Sequence, residues 1–203
     1  MSILITISRE FGSGGRELGR RLADDLHIAY YDREILDEIA KNTPYSQHYI
    51  EEVSEAKPVP LFPIHYGVSW TTVNDPFSPS TEVFKKQNEI MRQMAEKSSC
   101  IIIGRAADYI LRDYHPYRLF VYADMPSKIA RCRARSSNPD VTDKEIIKNI
   151  KRIEKNRRAF YDFYANASWG AKENYDLLVN TSGRNIKELA NALAFYFREK
   201  VAN

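Results

Sequence analysis

A glycine-rich loop near the start of the chain has residue types that suit phosphate binding. It follows the apolar run 3–7 and consists of Gly12, Ser13, Gly14, Gly15 and the Arg16 that comes after them. Small residues between a strand and a helix let backbone N–H groups surround an anion, and the helix N-terminus adds positive potential. We therefore predict a phosphate-binding loop, with an unliganded glycine-rich turn as the alternative.

The loop departs from the standard pattern G-x-x-x-x-G-K-[ST], in which the lysine reaches the outer phosphates and the hydroxyl binds Mg²⁺. If Gly14 is the second glycine, Gly15 takes the lysine position; in the register shifted by one residue, Arg16 takes it. Arg16 is the cation of the loop in both registers. The lysine position lies in the first helical turn, so we expect the backbone of Gly15 to accept a side chain.

Charged residues follow two other predicted strands. Arg105 and Asp108 come after the apolar run 100–104, and Asp32 and Arg33 come after a run near 28–31. Ligands of open α/β sheets bind beside such strand ends, and an arginine there can hold a phosphate through two donors. We expect Asp108 to orient Arg105. The alternatives are a surface arginine at 105, and at 32–33 a helix cap followed by an exposed arginine.

Basic residues concentrate between 131 and 158. Arg131 belongs to a run of alternate arginines that ends one predicted helix, and Arg157 shares an apolar face of the next helix with Ile150. Phosphoryl transfer needs cations around the transferring group, often on a closing lid. We interpret the arginines as functional. The lysines of the second helix recur at i+3 and i+4, and such a stripe is usually a solvated face; they are Lys144, Lys148, Lys151 and Lys155.

The elements that must position these residues alternate between strand and helix. Short β-branched or apolar runs predict strands near 3–7, 28–31, 100–104, 119–122 and 177–179. The segments between them have helical periodicity, as in Leu18, Leu22 and Leu26, and Asp32 is expected to cap the second helix. This alternation predicts a parallel sheet with helices on both faces. The proline-rich segment 57–79 is expected to be an ordered excursion.

Composition bounds the class of protein. The chain has 203 residues, which suits a single domain, and a net charge of +3, which is too weak to imply nucleic-acid binding. Its two cysteines lie far apart and form no metal or disulfide pattern, and no run reaches the roughly 18 apolar residues of a membrane span. We expect a cytoplasmic protein without a membrane segment.

Four segments, in this order, resemble the cytidylate kinase-like family: ITISREFGSGGR at 5–16, YYDRE at 30–34, IGRAADYIL at 103–111, and the stretch 156–177. The resemblance implies a three-layer P-loop NTPase fold, with a five-stranded parallel sheet, an acceptor-binding insertion near 44–98 and a small helical lid near 131–158. It also implies transfer of the ATP γ-phosphoryl group, with Mg²⁺, to CMP or dCMP. True cytidylate kinases have the P-loop lysine, and an aspartate where this chain has Ile103.

The resemblance also implies roles for single residues. Gly12 to Arg16 would bind the ATP phosphates; Asp32, Arg33 and Arg105, with Asp108 beside it, would bind the acceptor; Arg16, Arg131 and Arg157 would be catalytic. Two alternatives remain, a kinase for another small phosphate acceptor and a non-catalytic nucleotide-binding regulatory domain. Nucleic-acid binding by the basic helix is the weakest reading, because Glu145 and Glu154 interrupt its positive charge.

Overall fold

The computed structural model of the chain describes residues 3–54 and 79–201. Strands and helices alternate along most of this length, and the short 3-10 helices Arg112–Tyr114 and Lys172–Asn174 accompany them. In chain order the elements are β1 Leu4–Arg9, α1 Gly15–Leu26, β2 Ala29–Tyr31, α2 Glu34–Lys41, α3 Gln47–Ser54, α4 Pro79–Lys97, β3 Cys100–Ile103, α5 Ala107–Ile110, β4 Tyr117–Tyr122, α6 Met125–Ala134, α7 Asp143–Ala165, β5 Leu177–Asn180 and α8 Ile186–Val201.

The strands within the described residues form one five-stranded sheet in the order β2-β3-β1-β4-β5, and every neighbouring pair is parallel. The central strand β1 is buried along its whole length. A parallel strand that is buried on both faces needs a continuous apolar run, and this run was the signal in the sequence. The predicted parallel α/β sheet is confirmed, and all carboxyl ends of its strands meet at one edge.

Helices cover both faces of the sheet, as predicted. Ile5 and Ile7 of β1 pack on one face with Leu18 and Leu22 of α1 and with the inner side of α8. Leu4 points to the other face, where it packs with α2, α4 and α5. Successive side chains of a strand point to opposite faces, so a single strand contributes to both clusters.

The expected cap of the second helix is wrong. Arg33, and not Asp32, is the residue before α2, and it has helical backbone angles and no side-chain capping bond. The carboxylate of Asp32 forms an ion pair with Arg16 instead. The predicted excursion at 57–79 lies outside the described residues, apart from Pro79, with which α4 begins.

The described helices include none that is long and apolar enough to cross a membrane. Cys100 is buried, Cys132 is half-buried, and both are free thiols.

Candidate active site at the carboxyl edge of the sheet

The glycine loop joins β1 to α1 at the carboxyl edge of the sheet. Gly12 and Gly14 have φ angles of 78° and 82°, a left-handed conformation that glycine adopts without steric cost. The side chain of Ser13 is buried and donates to the backbone carbonyl of Glu10 at 2.9 Å. The carbonyl of Ser13 accepts from Thr181 Oγ1 at 2.6 Å. The residue after β5 therefore holds the middle of the loop in place.

Helix α6 lies directly against this loop. A Cβ atom on Gly12 would stand 3.1 Å from the Sγ of Cys132 and 3.1 Å from the backbone oxygen of Lys128, so a larger residue would be crowded against the helix. Arg131 of the same helix donates to the carbonyl of Thr181 at 2.6 Å and to that of Ser13 at 3.4 Å. The loop and α6 thus form one packed unit.

Lys128 connects this unit to α7. Its side chain is 5% exposed, and its ammonium group lies 2.6 Å from a carboxylate oxygen of Glu10 and 2.8 Å from one of Glu154. Burial by itself would lower the pKa of Lys128, but the hydrogen bonds to the two carboxylates outweigh it and raise the pKa. The sequence analysis missed this residue, because neither partner is near it in sequence.

A cavity of about 500 Å³ opens between the loop, the end of α6 and one side of α7. Arg131 lines it from α6, Arg135 from just after the end of that helix, and Arg157 from α7. From the loop side it is lined by Gly12, Gly14, Gly15 and Arg16. The three residues that the sequence analysis proposed as catalytic, Arg16, Arg131 and Arg157, therefore meet at one cavity.

Arg16 is half-exposed and forms an ion pair with Asp32, in which its Nε lies 2.8 Å from the carboxylate. A second contact, from Nη2 at 3.4 Å, completes a two-pronged pair. Arg16, which was predicted to bind the phosphates of ATP, and Asp32, which was predicted to bind the phosphate acceptor, are thus in contact. Arg33 is exposed at the start of α2, as in the simple reading of that position.

A second, small cavity of about 20 Å³ lies at the end of β3. Arg105 is 6% exposed there, with a positive φ of 58°, so it is not the surface arginine of the alternative reading. Its backbone oxygen accepts from the side chain of Gln87 in α4 at 3.3 Å. The lining consists of Ser8, Arg9, Gly104, Arg105, Ala106, Arg157, Phe160, Tyr161 and Trp169.

Asp108 lies beneath this cavity and is 4% exposed. It accepts a hydrogen bond of 2.6 Å from the hydroxyl of Tyr161 and one of 3.5 Å from Ser8. Burial raises the pKa of the Asp108 carboxyl, and burial together with the neighbouring Asp108 raises the pKa of the Tyr161 hydroxyl. The bonds to Tyr161 and Ser8 therefore orient an aromatic wall of the cavity, and the expected role of Asp108 in orienting Arg105 stays a prediction.

The expectation that Gly15 can accept a side chain is wrong. A Cβ atom at Gly15 would stand 2.7 Å from the Cβ of Arg9, closer than such atoms approach, and 3.3 Å from that of Val121, which is a tight contact. The first turn of α1 is therefore packed against the end of β1. Arg9 itself is 5% exposed and was not among the predicted site residues.

The predicted lysine stripe of α7 is solvent-facing: Lys144, Lys148, Lys151 and Lys155 are all exposed. The opposite face of the helix carries the buried Ile146 and Ile150 and the half-buried Arg157. The separation of surface lysines from inward arginine follows from the helical period and is confirmed.

Groups of three or more histidine, cysteine or carboxylate side chains that could hold a metal ion do not occur within the described ranges 3–54 and 79–201. Mg²⁺ in phosphoryl-transfer sites is commonly held by one or two carboxylates together with substrate phosphates. The residues present suit that shared arrangement better than a cage made by the protein.

Comparisons with known proteins bear on the family and the fold of the chain. The model of the cytidylate kinase-like family matches residues 4–183. An uncharacterized protein from Eubacterium ventriosum is similar in structure at 25% identity and a TM-score of 0.71, with 97% of this chain and 99% of that chain covered. None of the curated proteins matches.

Two shikimate kinases have the same fold. The enzyme from Acinetobacter baumannii, solved in complex with shikimate, is 15% identical at a TM-score of 0.53, with 98% of this chain and 95% of that chain covered. The enzyme from Bacteroides thetaiotaomicron is 12% identical at a TM-score of 0.55, with 99% of each chain covered. At these identities the likeness shows the α/β fold of P-loop kinases.

Proposed function

The chain belongs to the cytidylate kinase-like family, and from this premise we propose that it is an ATP-dependent kinase of a small acceptor. The finer assignment is transfer of the γ-phosphoryl group of ATP to CMP or dCMP. The observation that carries the proposal is the pair of arginine-lined cavities at the carboxyl edge of the sheet, one of them bordered by the glycine loop.

The larger cavity suits the donor nucleotide. Arginines of two helices face the loop across it, and guanidinium groups are strong partners for phosphate oxygens. We assign the phosphates of ATP to the segment 12–16 and the clamping role to Arg131 and Arg157. Arg16 would exchange its ion pair with Asp32 for the phosphates, because both partners compete for the same guanidinium.

The smaller cavity suits the reacting end of the acceptor. Arg105 is buried at its edge, and buried guanidinium groups bind anions more strongly than exposed ones because water screens them less. We assign Arg105 to the acceptor's anionic group. Asp108 has a supporting role, since it holds Tyr161 against the cavity. Asp32 completes the acceptor side, and we assign acceptor binding also to the segment 44–98, of which residues 55–78 lie outside the described part of the chain.

Mg²⁺, when bound together with ATP, would supply positive charge that neutralises part of the charge of the phosphates. Glu10 and Glu145 are the carboxylates that line the cavity, and Asp32 lies beside it in an ion pair with Arg16. The protein's own contribution is to hold the two substrates in line and to surround the transferred group with guanidinium donors.

The decisive experiment measures ADP release with ATP and Mg²⁺ over a panel of acceptors. The panel contains CMP, dCMP, UMP, AMP and GMP, with shikimate added as an acceptor that carries no phosphate. We expect activity on a pyrimidine monophosphate. Replacing Arg157 with methionine should abolish most of it, whereas replacing the exposed Lys148 of the same helix with methionine should not.

Each outcome of this experiment indicates a different class of protein. Activity confined to a non-nucleotide acceptor would replace the cytidylate assignment and keep the kinase. Binding of ATP in calorimetry without ADP release on any acceptor would favour a non-catalytic nucleotide-binding domain. Absence of ATP binding would refute the proposal altogether.

A further inference from the structure

We infer that Arg9 is a catalytic residue that contacts the transferring phosphoryl group and supplies the charge that lysine supplies in a standard P-loop. The inference deepens the proposed kinase function and rests on it. Arg9 ends β1, outside the glycine loop, so the pattern of the loop does not reveal it. The path of the Arg9 side chain across the edge of the sheet supports this inference.

The side chain of Arg9 runs from the loop to the end of the neighbouring strand. Its Cβ and Cγ lie beneath Gly15, where an added Cβ would stand 2.7 and 3.2 Å from them. Its guanidinium group lies on Gly104, where an added Cβ would fall on Nη1 of Arg9. Both glycines therefore leave space that this one side chain occupies.

This course places Arg9 between the two cavities. Arg9 lines the larger cavity together with the glycine loop, and it also lines the smaller cavity together with Arg105. Arg157 shares this position and donates to the backbone oxygen of Arg9 at 3.2 Å. A group that passes from a donor in one cavity to an acceptor in the other must cross this boundary.

The chemistry at the boundary favours a buried cation. In the transfer, an oxygen of the acceptor forms a bond to the γ-phosphorus while the bond to the bridging oxygen breaks. The electron pair and its negative charge stay on ADP, and any proton of the acceptor passes to water. The charge on the transferring group spreads over its outer oxygens, where fixed guanidinium donors stabilise it. With Gly15 unable to carry a lysine side chain, Arg9 fills this role from below the loop.

The test compares Arg9→Met with wild type in two measurements. In calorimetry, we expect ATP affinity to fall about ten- to a hundredfold and ADP affinity to change less than threefold, because Arg9 meets only the outermost phosphate. In the ADP-release assay with the best acceptor, kcat should fall about a hundredfold or more. Arg9→Lys retains the charge, and it separates a loss of catalysis from a loss of folding. It should unfold at the wild-type temperature and still lose at least about tenfold in kcat, since lysine lacks the planar two-donor head.

The matched control is Arg112→Met, an exposed arginine of a 3-10 helix outside both cavities, which should match wild type in both measurements. Equal losses for ATP and ADP in Arg9→Met, or wild-type kcat in Arg9→Lys, would overturn the assignment of Arg9 while the kinase function stands. If wild type itself bound no ATP, the proposed function would fail first, and the role of Arg9 with it. The two failures are thus distinguished by the wild-type measurement alone.

Discussion

Replacing Lys128 with methionine should destabilise the protein through the two carboxylates that it leaves behind. Methionine is close in volume to lysine, so packing changes little, but the ammonium group between Glu10 and Glu154 is lost. The two carboxylates would then face each other at the junction of the loop, α6 and α7. The variant therefore isolates the charge of Lys128 from its bulk.

The magnitude follows from burial. Removing one partner of a buried ion pair costs about 3–5 kcal/mol, because a charge stays behind in a poorly solvated place. The side chains of Glu10 and Glu154 are 24% and 21% exposed, so water reaches them in part and the cost lies near the lower end. We expect a loss of about 3 kcal/mol in the free energy of unfolding, which corresponds to roughly 6–12 °C in Tm for a chain of this size.

Urea unfolding followed by circular dichroism measures this loss, with Lys148→Met as the exposed control on α7. The control should change the free energy of unfolding by less than about 0.5 kcal/mol. Adding Glu154→Gln to Lys128→Met should recover part of the loss, because one of the two unpaired charges disappears. A loss below about 1 kcal/mol for Lys128→Met at an unchanged m-value would refute this account of the ion-pair network.

Three further predictions concern the acceptor cavity and the lid. Arg105→Lys should raise KM for the acceptor or lower kcat by about tenfold, because lysine cannot reproduce the two-donor fork; wild-type kinetics would assign Arg105 a purely structural role. Burial raises the pKa of the Asp108 carboxyl above 3.8, so the folded protein binds the proton of this carboxyl more tightly than the unfolded chain does. Protonated Asp108 therefore stabilises the fold, and this stabilisation is lost as pH rises through the raised pKa. The asparagine in Asp108→Asn does not titrate, so the free energy of unfolding of this variant relative to wild type should increase between pH 4 and 7. If urea titrations gave the same difference in free energy at every pH, this prediction would be contradicted. Hydrogen exchange of 135–158 should slow when an ATP analogue binds, and identical protection with and without it would count against a mobile lid.

The sheet and its main helices could be predicted because their signals are local. The run 100–103 is apolar and bounded by a glycine, so it reads as a strand buried on both faces, and the structure has it there. Leu18 and Leu22 recur at helical spacing and are fully buried. The single arginine on the apolar face of α7 was likewise visible in the helical period, and Arg157 reaches the cavity from that face.

The Arg16–Asp32 ion pair and the Lys128 network depend on contacts between distant parts of the chain. Arg16 and Asp32 meet although 16 residues separate them, and Lys128 meets Glu10 across more than a hundred residues. In both pairs, the residues next to one partner in sequence give no indication of the other partner. The strand order β2-β3-β1-β4-β5 and the packing of α6 on the loop bring them together.

The sequence by itself determined that a glycine loop lies between the first strand and helix, since glycine spacing and apolar runs act through nearby residues. Only the tertiary structure shows that the side chain of Arg9 lies against that loop. The neighbouring sequence predicts Arg9 only as the last residue of a strand, and it does not determine the direction of the side chain. That direction depends on the parallel pairing of β1 with β3, which brings Gly104 next to Arg9, and on the close approach of Gly15, which leaves the space open.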